Sequence, residues 1–113
     1  MSGTSHERGT GHFIRERLTS ILLIPLTVWF IATMVAFIGA EHVAVMALLK
    51  DPINLFLMAA FVLISLYHAA LGLQMVIEDY LAGPNRRTLL TVSFGAHILV
   101  AVVCLYALAR LVF

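Results

Sequence analysis

A chain of 113 residues in which 62% are hydrophobic and only 12% are charged cannot bury its apolar side chains in one water-soluble core. Mean hydropathy is +1.03 and the net charge is +1, which indicates neither nucleic acid nor an acidic partner. The chain is therefore predicted to be an integral membrane protein of the lipid bilayer. Its single cysteine, Cys104, cannot form an internal disulfide.

Three apolar runs follow one another along the chain, at residues 20–40, 53–77 and 88–110. Each is long enough to cross a hydrocarbon core of about 30 Å as an α-helix. Strands are not expected, because the alternating pattern of a barrel is absent. The predicted fold is an all-α membrane protein, one anchor domain over residues 1–113 with three transmembrane helices. Residues 1–16 are predicted to form an N-terminal tail, disordered over its first eleven residues.

Basic residues predict how the chain is oriented in the membrane. Lys50 and Arg110 flank one side of the spans, whereas five arginines flank the other, namely Arg8, Arg15, Arg17, Arg86 and Arg87. The positive-inside rule then places the N-terminus in the cytoplasm, or in the matrix of a mitochondrion, and the C-terminus on the opposite side. The expected location is the cell inner membrane, with the mitochondrial inner membrane as the alternative.

The second run contains His68 and ends on the residues 78–80, Glu-Asp-Tyr. A histidine at membrane depth is a functional candidate, and a neutral imidazole is a good iron ligand. Ala69 and Gly72 remove side-chain bulk beside it, so a flat macrocycle could lie there. Asp79 follows about 16 Å further along, about 20° from the same face. Spacing alone leaves open a histidine that is hydrogen-bonded between helices, with Gly72 as a packing contact.

Asp79 and Tyr80 come at the C-terminal end of the second predicted helix, where the helix dipole disfavours carboxylates. Arg86 or Arg87 could compensate that charge, and Tyr80 could be an ordinary interfacial aromatic residue. Alternatively, the Tyr80 hydroxyl donates to a carbonyl oxygen of a lipid-soluble ligand, and Asp79 orients it or relays a proton. The residues by themselves leave both interpretations open.

Four further histidines occur in the chain. His97 lies about nine residues into the third run, at a depth similar to that of His68, which leaves an intrachain bis-histidine haem open. His42 is expected in the outer loop, and His6 and His12 in the N-terminal tail. These last three are expected to be solvated.

The pattern of His68 and Gly72 followed by Val76-Ile77-Glu78-Asp79-Tyr80 resembles the second transmembrane helix of the hydrophobic membrane anchor subunit of succinate dehydrogenase, in respiratory complex II. The specific part is the spacing of eleven and twelve residues from the histidine to the Asp-Tyr pair. A second stretch, Phe13-Ile14-x-x-Arg17-x-Thr19-x-Ile21, is similar to the family's entry into its first helix. Length, three spans and orientation also agree, so the resemblance covers nearly the whole chain.

This resemblance implies an anchor subunit of succinate:quinone oxidoreductase, acting between the tricarboxylic acid cycle and the respiratory chain. It implies that His68 is an axial ligand of the haem b iron, with the other histidine from the cytochrome b556 subunit. Tyr80 is implied to hydrogen-bond ubiquinone beside Asp79, at a site shared with the iron–sulfur subunit. Arg17 is implied to lie near the haem propionates or the quinone.

The resemblance also implies that FAD and the iron–sulfur clusters belong to the flavoprotein and iron–sulfur partner subunits. The chain carries neither a flavin fingerprint nor cluster cysteines, so it is expected to have no catalysis alone. A fumarate reductase anchor is the close variant. A stand-alone b-type cytochrome and a purely structural membrane adaptor are the alternatives, although a cytochrome of the b561 type normally needs histidines on more helices.

Overall fold

A computed structural model describes the backbone of residues 5–113 and the side chains of residues 9–113. Within that part of the chain there are four helices and no strand: α1 (Ser5–Ala36), α2 (His42–Lys50), α3 (Pro52–Tyr80) and α4 (Pro84–Val112). Three segments are long and apolar enough to cross a membrane, Gly9–Ala36, Pro52–Tyr80 and Pro84–Val112. The predicted all-α class with three transmembrane helices is confirmed.

The first helix has different ends from those expected. It begins at Ser5, so the predicted tail is helical from residue 5 onward, and residues 1–4 lie outside the described part. Two contacts between residues four apart stabilise the first turns of α1. Arg15 Nε donates to the Gly11 carbonyl at 3.3 Å, and the His12 ring lies 3.8 Å from the Glu16 carboxylate. At its other end α1 stops at Ala36 rather than residue 40, and Gly39 nearby has a left-handed φ of 76°.

The loop between α1 and α3 contains a short helix, α2, that the hydropathy pattern did not predict. Its first residue, His42, is exposed, as expected of a loop histidine, and α2 contacts both α3 and α4. Asp51 then caps α3, because its side chain accepts from the Asn54 backbone N–H at 3.1 Å, and Pro52 occupies the first turn. The start of α3 is thereby determined by local capping.

The central element of the bundle is α3, which packs against α1 on one side and α4 on another. Among residues 9–113, the buried apolar residues are Ala70, Leu71 and Ile77, all on α3. Phe30 of α1 stacks on Phe61 of α3 with ring centroids 4.6 Å apart. Most other apolar side chains are exposed, as lipid or partner helices require. The two residues of main interest, His68 and Tyr80, therefore lie on the most enclosed helix.

A tight connection joins α3 to α4. Gly83 has a φ of 73°, a conformation that favours glycine, and Pro84 begins the next helix. The start of α4 therefore lies beside the end of α3. The first turns of α1 lie there too, since Arg15, Glu78 and Arg86 line one cavity. We call this part of the bundle, defined by those three residues, the charged end.

Candidate functional site

His68 lies on α3 and its ring contacts α1. The Nδ1 atom is 2.7 Å from Oγ1 of Thr19, a side chain only 7% exposed. The same hydroxyl lies 2.8 Å from the carbonyl oxygen of Arg15 and 3.0 Å from that of Glu16. When the one hydroxyl hydrogen of Thr19 is donated to a carbonyl oxygen of α1, the Thr19 oxygen accepts from the His68 tautomer that carries its hydrogen on Nδ1. This tautomer leaves the Nε2 lone pair of His68 free for a metal.

Beside His68 the surface of α3 is open. Gly72 lies one turn further along the same side, since residues four apart share a helix face. A Cβ atom built on Gly72 would meet no atom within 4 Å, and Ala69 is exposed. The ring nitrogen of His68 and the open surface beside it leave room for a flat iron macrocycle.

His97 belongs to a different face of the bundle. Its Nδ1–H donates to the Ser93 carbonyl at 2.7 Å. The ring lines an apolar groove between α3 and α4, to which α3 contributes Leu63, Leu66, Tyr67 and Ala70. At ~100° per residue, these groove residues lie at least about 100° around α3 from His68. The structure therefore does not bring His68 and His97 to one site, and the intrachain bis-histidine arrangement does not fit.

At the charged end, Glu78 and Asp79 have different surroundings. Glu78 lies 3.5 Å from Arg86 and also accepts from Gln74 at 3.5 Å. Asp79 is exposed, and within residues 9–113 no hydrogen bond or ion pair holds it. The expected compensation by Arg86 is therefore present for Glu78 and not for Asp79. The Asp79 carboxylate remains available to a partner or ligand.

Tyr80 ends α3 and is 82% exposed. Its hydroxyl has no hydrogen bond within the described side chains. Asp79 lines the cavity at the charged end, together with Arg15 and Arg86, whereas Tyr80 lies outside it. The Tyr80 phenol is thus accessible to a partner chain or a ligand at the end of α3.

Arg17 and His12 are both on α1, but only His12 faces inward. The Arg17 guanidinium lies 5.2 Å over the Phe13 ring on an exposed part of the helix. His12 was expected to be solvated, which is wrong, because its side chain is only 15% exposed and lies against Glu16. The His6 side chain is outside the described residues.

The sequence interpretation missed Thr19, Arg15 and His12 as members of the face of α1 that meets α3. A signal for this face exists in the spacing of polar residues: His12, Glu16 and Thr19 are separated by four and three positions, which is one helix face. The sequence did not predict this stripe, because His12 and Glu16 were assigned to a tail that ends at residue 16, whereas Thr19 was assigned to the start of the first helix.

Fold and site together define a multi-pass helical membrane protein in which a histidine of one transmembrane helix contacts a buried threonine of another. The family model described as succinate dehydrogenase/fumarate reductase transmembrane subunit matches residues 2–105. The chain belongs to this family, and its relatives are succinate dehydrogenase hydrophobic membrane anchor subunits.

Three such relatives show how far the similarity extends. The anchor subunit of Rickettsia bellii is 35% identical over 89 residues, covering 79% of this chain and 71% of the relative. That of Rickettsia conorii is 33% identical over 100 residues, covering 88% and 79%. That of Paracoccus denitrificans is 31% identical over 111 residues, covering 96% and 84%. No solved structure matches the chain.

Proposed function

We propose that this membrane anchor subunit helps bind haem b and forms part of the ubiquinone-reduction site of a succinate:quinone oxidoreductase in a bacterial inner membrane. Its partners are a cytochrome b556 subunit, an iron–sulfur subunit and a flavoprotein subunit. Electrons leave succinate at FAD, pass through iron–sulfur clusters and reduce ubiquinone at the membrane. The anchor subunit has no catalysis alone and supplies residues to the last step.

The observation that carries the haem proposal is the hydrogen bond between His68 and Thr19. It holds the imidazole with Nε2 free, next to the open surface at Gly72. His97 lines the groove between α3 and α4, away from His68, which disfavours a stand-alone b-type cytochrome. By the family resemblance, a histidine of the cytochrome b556 subunit would hold the haem iron together with His68. Haem b, when bound, supplies a one-electron centre. The exposed Arg17 guanidinium has no carboxylate partner within residues 9–113, and is available to a propionate or to the quinone.

For the quinone, support comes from the two uncommitted polar side chains at the end of α3. Reduction builds negative charge on a quinone oxygen, which a phenol hydroxyl stabilises by donating a hydrogen bond. Tyr80 offers that donor with no competing acceptor among the described side chains. Asp79 precedes it and has no ion-pair partner there, so it can orient the hydroxyl or relay a proton.

The proposal is tested by purifying the chain, through an affinity tag on it, from membranes of its own source. We expect the tag to recover all three partner subunits, succinate–ubiquinone reductase activity and a reduced-minus-oxidised haem b signal at about one haem per flavin. A preparation that reduces ubiquinone at the normal rate but contains no haem would contradict the haem role. Recovery of the chain without the succinate-oxidising subunits would contradict the function as a whole.

A further inference from the structure

We propose that Thr19 is a positioning residue for His68, whose hydroxyl selects the tautomer and ring orientation of the imidazole and strengthens its donation to iron. The inference rests on the proposed haem role of His68. It assigns a second residue of α1, besides Arg17, to the proposed haem site.

The Thr19 side chain is held in place by its own helix, independently of His68. Its side chain is 7% exposed, and its hydroxyl lies 2.8 Å from the Arg15 carbonyl one turn earlier. A β-branched side chain has few χ1 rotamers in a helix, and this back-bonded rotamer is one of them. When the hydroxyl hydrogen is donated to this helix carbonyl, an oxygen lone pair of Thr19 is left for a donor on α3. His68 Nδ1 occupies that direction at 2.7 Å.

This hydrogen bond has two physical consequences for the imidazole. It favours the proton on Nδ1 over Nε2, and it prevents the ring from rotating about its Cβ–Cγ bond. An acceptor on the Nδ1–H also raises the basicity of Nε2, which favours the ferric over the ferrous state. In apolar surroundings such a bond is stronger than in water, because solvent does not compete for either atom.

Conservative variants separate the hydroxyl from the shape of the side chain. Thr19→Val keeps the branched shape and removes the acceptor, whereas Thr19→Ser keeps the hydroxyl. Thr91→Val is the matched control, because the Thr91 hydroxyl makes the same kind of bond, 3.0 Å to the Arg87 carbonyl, on an exposed part of α4. Ser20→Ala is the control on the same helix, where the hydroxyl bonds the Glu16 carbonyl at 2.8 Å without touching His68.

The midpoint potential and the electron paramagnetic resonance spectrum of the haem are measured in the intact complex. We expect Thr19→Val to raise the potential by about 59 mV, the equivalent of a tenfold change in a one-electron equilibrium, and to shift the low-spin ferric signal. Thr19→Ser and both controls should match the wild type. A Thr19→Val complex with the wild-type potential and spectrum would overturn the inference. Equal shifts in the controls would overturn it as well.

If Thr19→Val assembles without haem, the serine variant decides. Haem retained in Thr19→Ser supports a role of the hydroxyl, since outer partners of metal ligands are worth about 10–100-fold in metal affinity. Haem lost from Thr19→Ser overturns it. Failure of the underlying proposal is distinguishable, because it would leave the haem unaltered in His68→Ala. An altered His68→Ala haem beside an unshifted Thr19→Val haem would contradict only the role of Thr19.

Discussion

The middle of α3 and its end differ in how far the chain organises its own functional side chains. His68 has its ring held by a buried threonine at 2.7 Å, and an open helix surface lies beside it. Tyr80 is 82% exposed, and neither it nor Asp79 has a hydrogen bond within the described side chains. The first region is prepared in advance, whereas the second is left for another subunit to complete.

This difference follows from where each region lies along the bundle. The middle of α3 is enclosed by α1, and in apolar surroundings a polar ring must find a partner inside the protein. The end of α3 reaches the membrane surface, where water or a partner can satisfy a hydroxyl or a carboxylate. The proposed haem ligand can therefore be fixed by this chain alone. The proposed quinone contacts would depend on assembly with the iron–sulfur subunit that we propose as a partner.

Topology offers the largest test, because its outcome is all or none. Reporters fused after Arg87 and after Phe113 lie at opposite ends of α4. The five-to-two bias of basic residues predicts a cytoplasmic reporter after Arg87 and an external one after Phe113. Protease accessibility or reporter activity in whole cells measures this. The reverse result would separate Tyr80 from a cytoplasmic electron donor and break the proposed quinone role.

Removing the phenol hydroxyl of Tyr80 should have the next largest effect. Tyr80→Phe loses one donor to an oxygen on which charge builds, so quinone reduction should fall on the order of 10²-fold. Succinate oxidation by an artificial acceptor upstream of the membrane should persist. Tyr106→Phe is the control, an exposed tyrosine of α4 toward the opposite end. Normal turnover in an assembled Tyr80→Phe complex would return the residue to an interfacial role.

Filling the open surface beside His68 should weaken haem retention. A Cβ atom at Gly72 would meet no atom within 4 Å, so we expect the folded subunit to tolerate Gly72→Leu, whose side chain would occupy the proposed haem face. Overpacking of about 1–3 kcal/mol corresponds to roughly 5- to 150-fold in affinity. Haem per flavin in the purified complex is the measurement. Gly95→Leu, at an equally open glycine of α4, should keep its haem, and equal loss there would indicate impaired assembly instead.

The two acidic neighbours should differ, by a smaller margin. Asp79→Asn should slow quinone reduction several-fold, because the proposed orientation of Tyr80 needs the carboxylate. Glu78→Gln should leave turnover unchanged, since Glu78 is engaged by Arg86 at 3.5 Å. That half-exposed pair contributes about 0.2–1 kcal/mol, so the loss of thermal stability should also be small. Steady-state kinetics that rank the two variants in the opposite order would contradict the distinction.

Much of the fold could be predicted from the sequence because hydropathy is a local property. The three spans were located within a few residues at the start of α3 and α4, and the His68-to-Tyr80 spacing identified the family before any coordinates. The predictions were wrong in two segments whose composition is typical of a tail or a loop. The polar start of α1 was predicted as a tail, and α2 is too short to stand out from a loop.

Rotation of the helices about their axes could not be predicted in the same way. The contact of Thr19 with His68 joins residues 49 positions apart, so it depends on which faces of α1 and α3 meet. Equal depth left His68 and His97 as a candidate pair, and only the packing of α4 separates them. The exposure of Tyr80 is likewise a property of the bundle, since an aromatic residue at a helix end fits a belt or a binding site equally well.

We propose above all that His68, whose ring is positioned by Thr19 of the same chain, is a haem ligand. The most direct test of this claim is the low-temperature reduced-minus-oxidised and electron paramagnetic resonance spectra of intact complexes carrying His68→Ala or His97→Ala. We expect the low-spin haem b signal to be lost or altered in His68→Ala, since one axial position is vacated, and to be unchanged in His97→Ala. An unaltered haem signal in His68→Ala, or loss of the signal in His97→Ala, would contradict the claim.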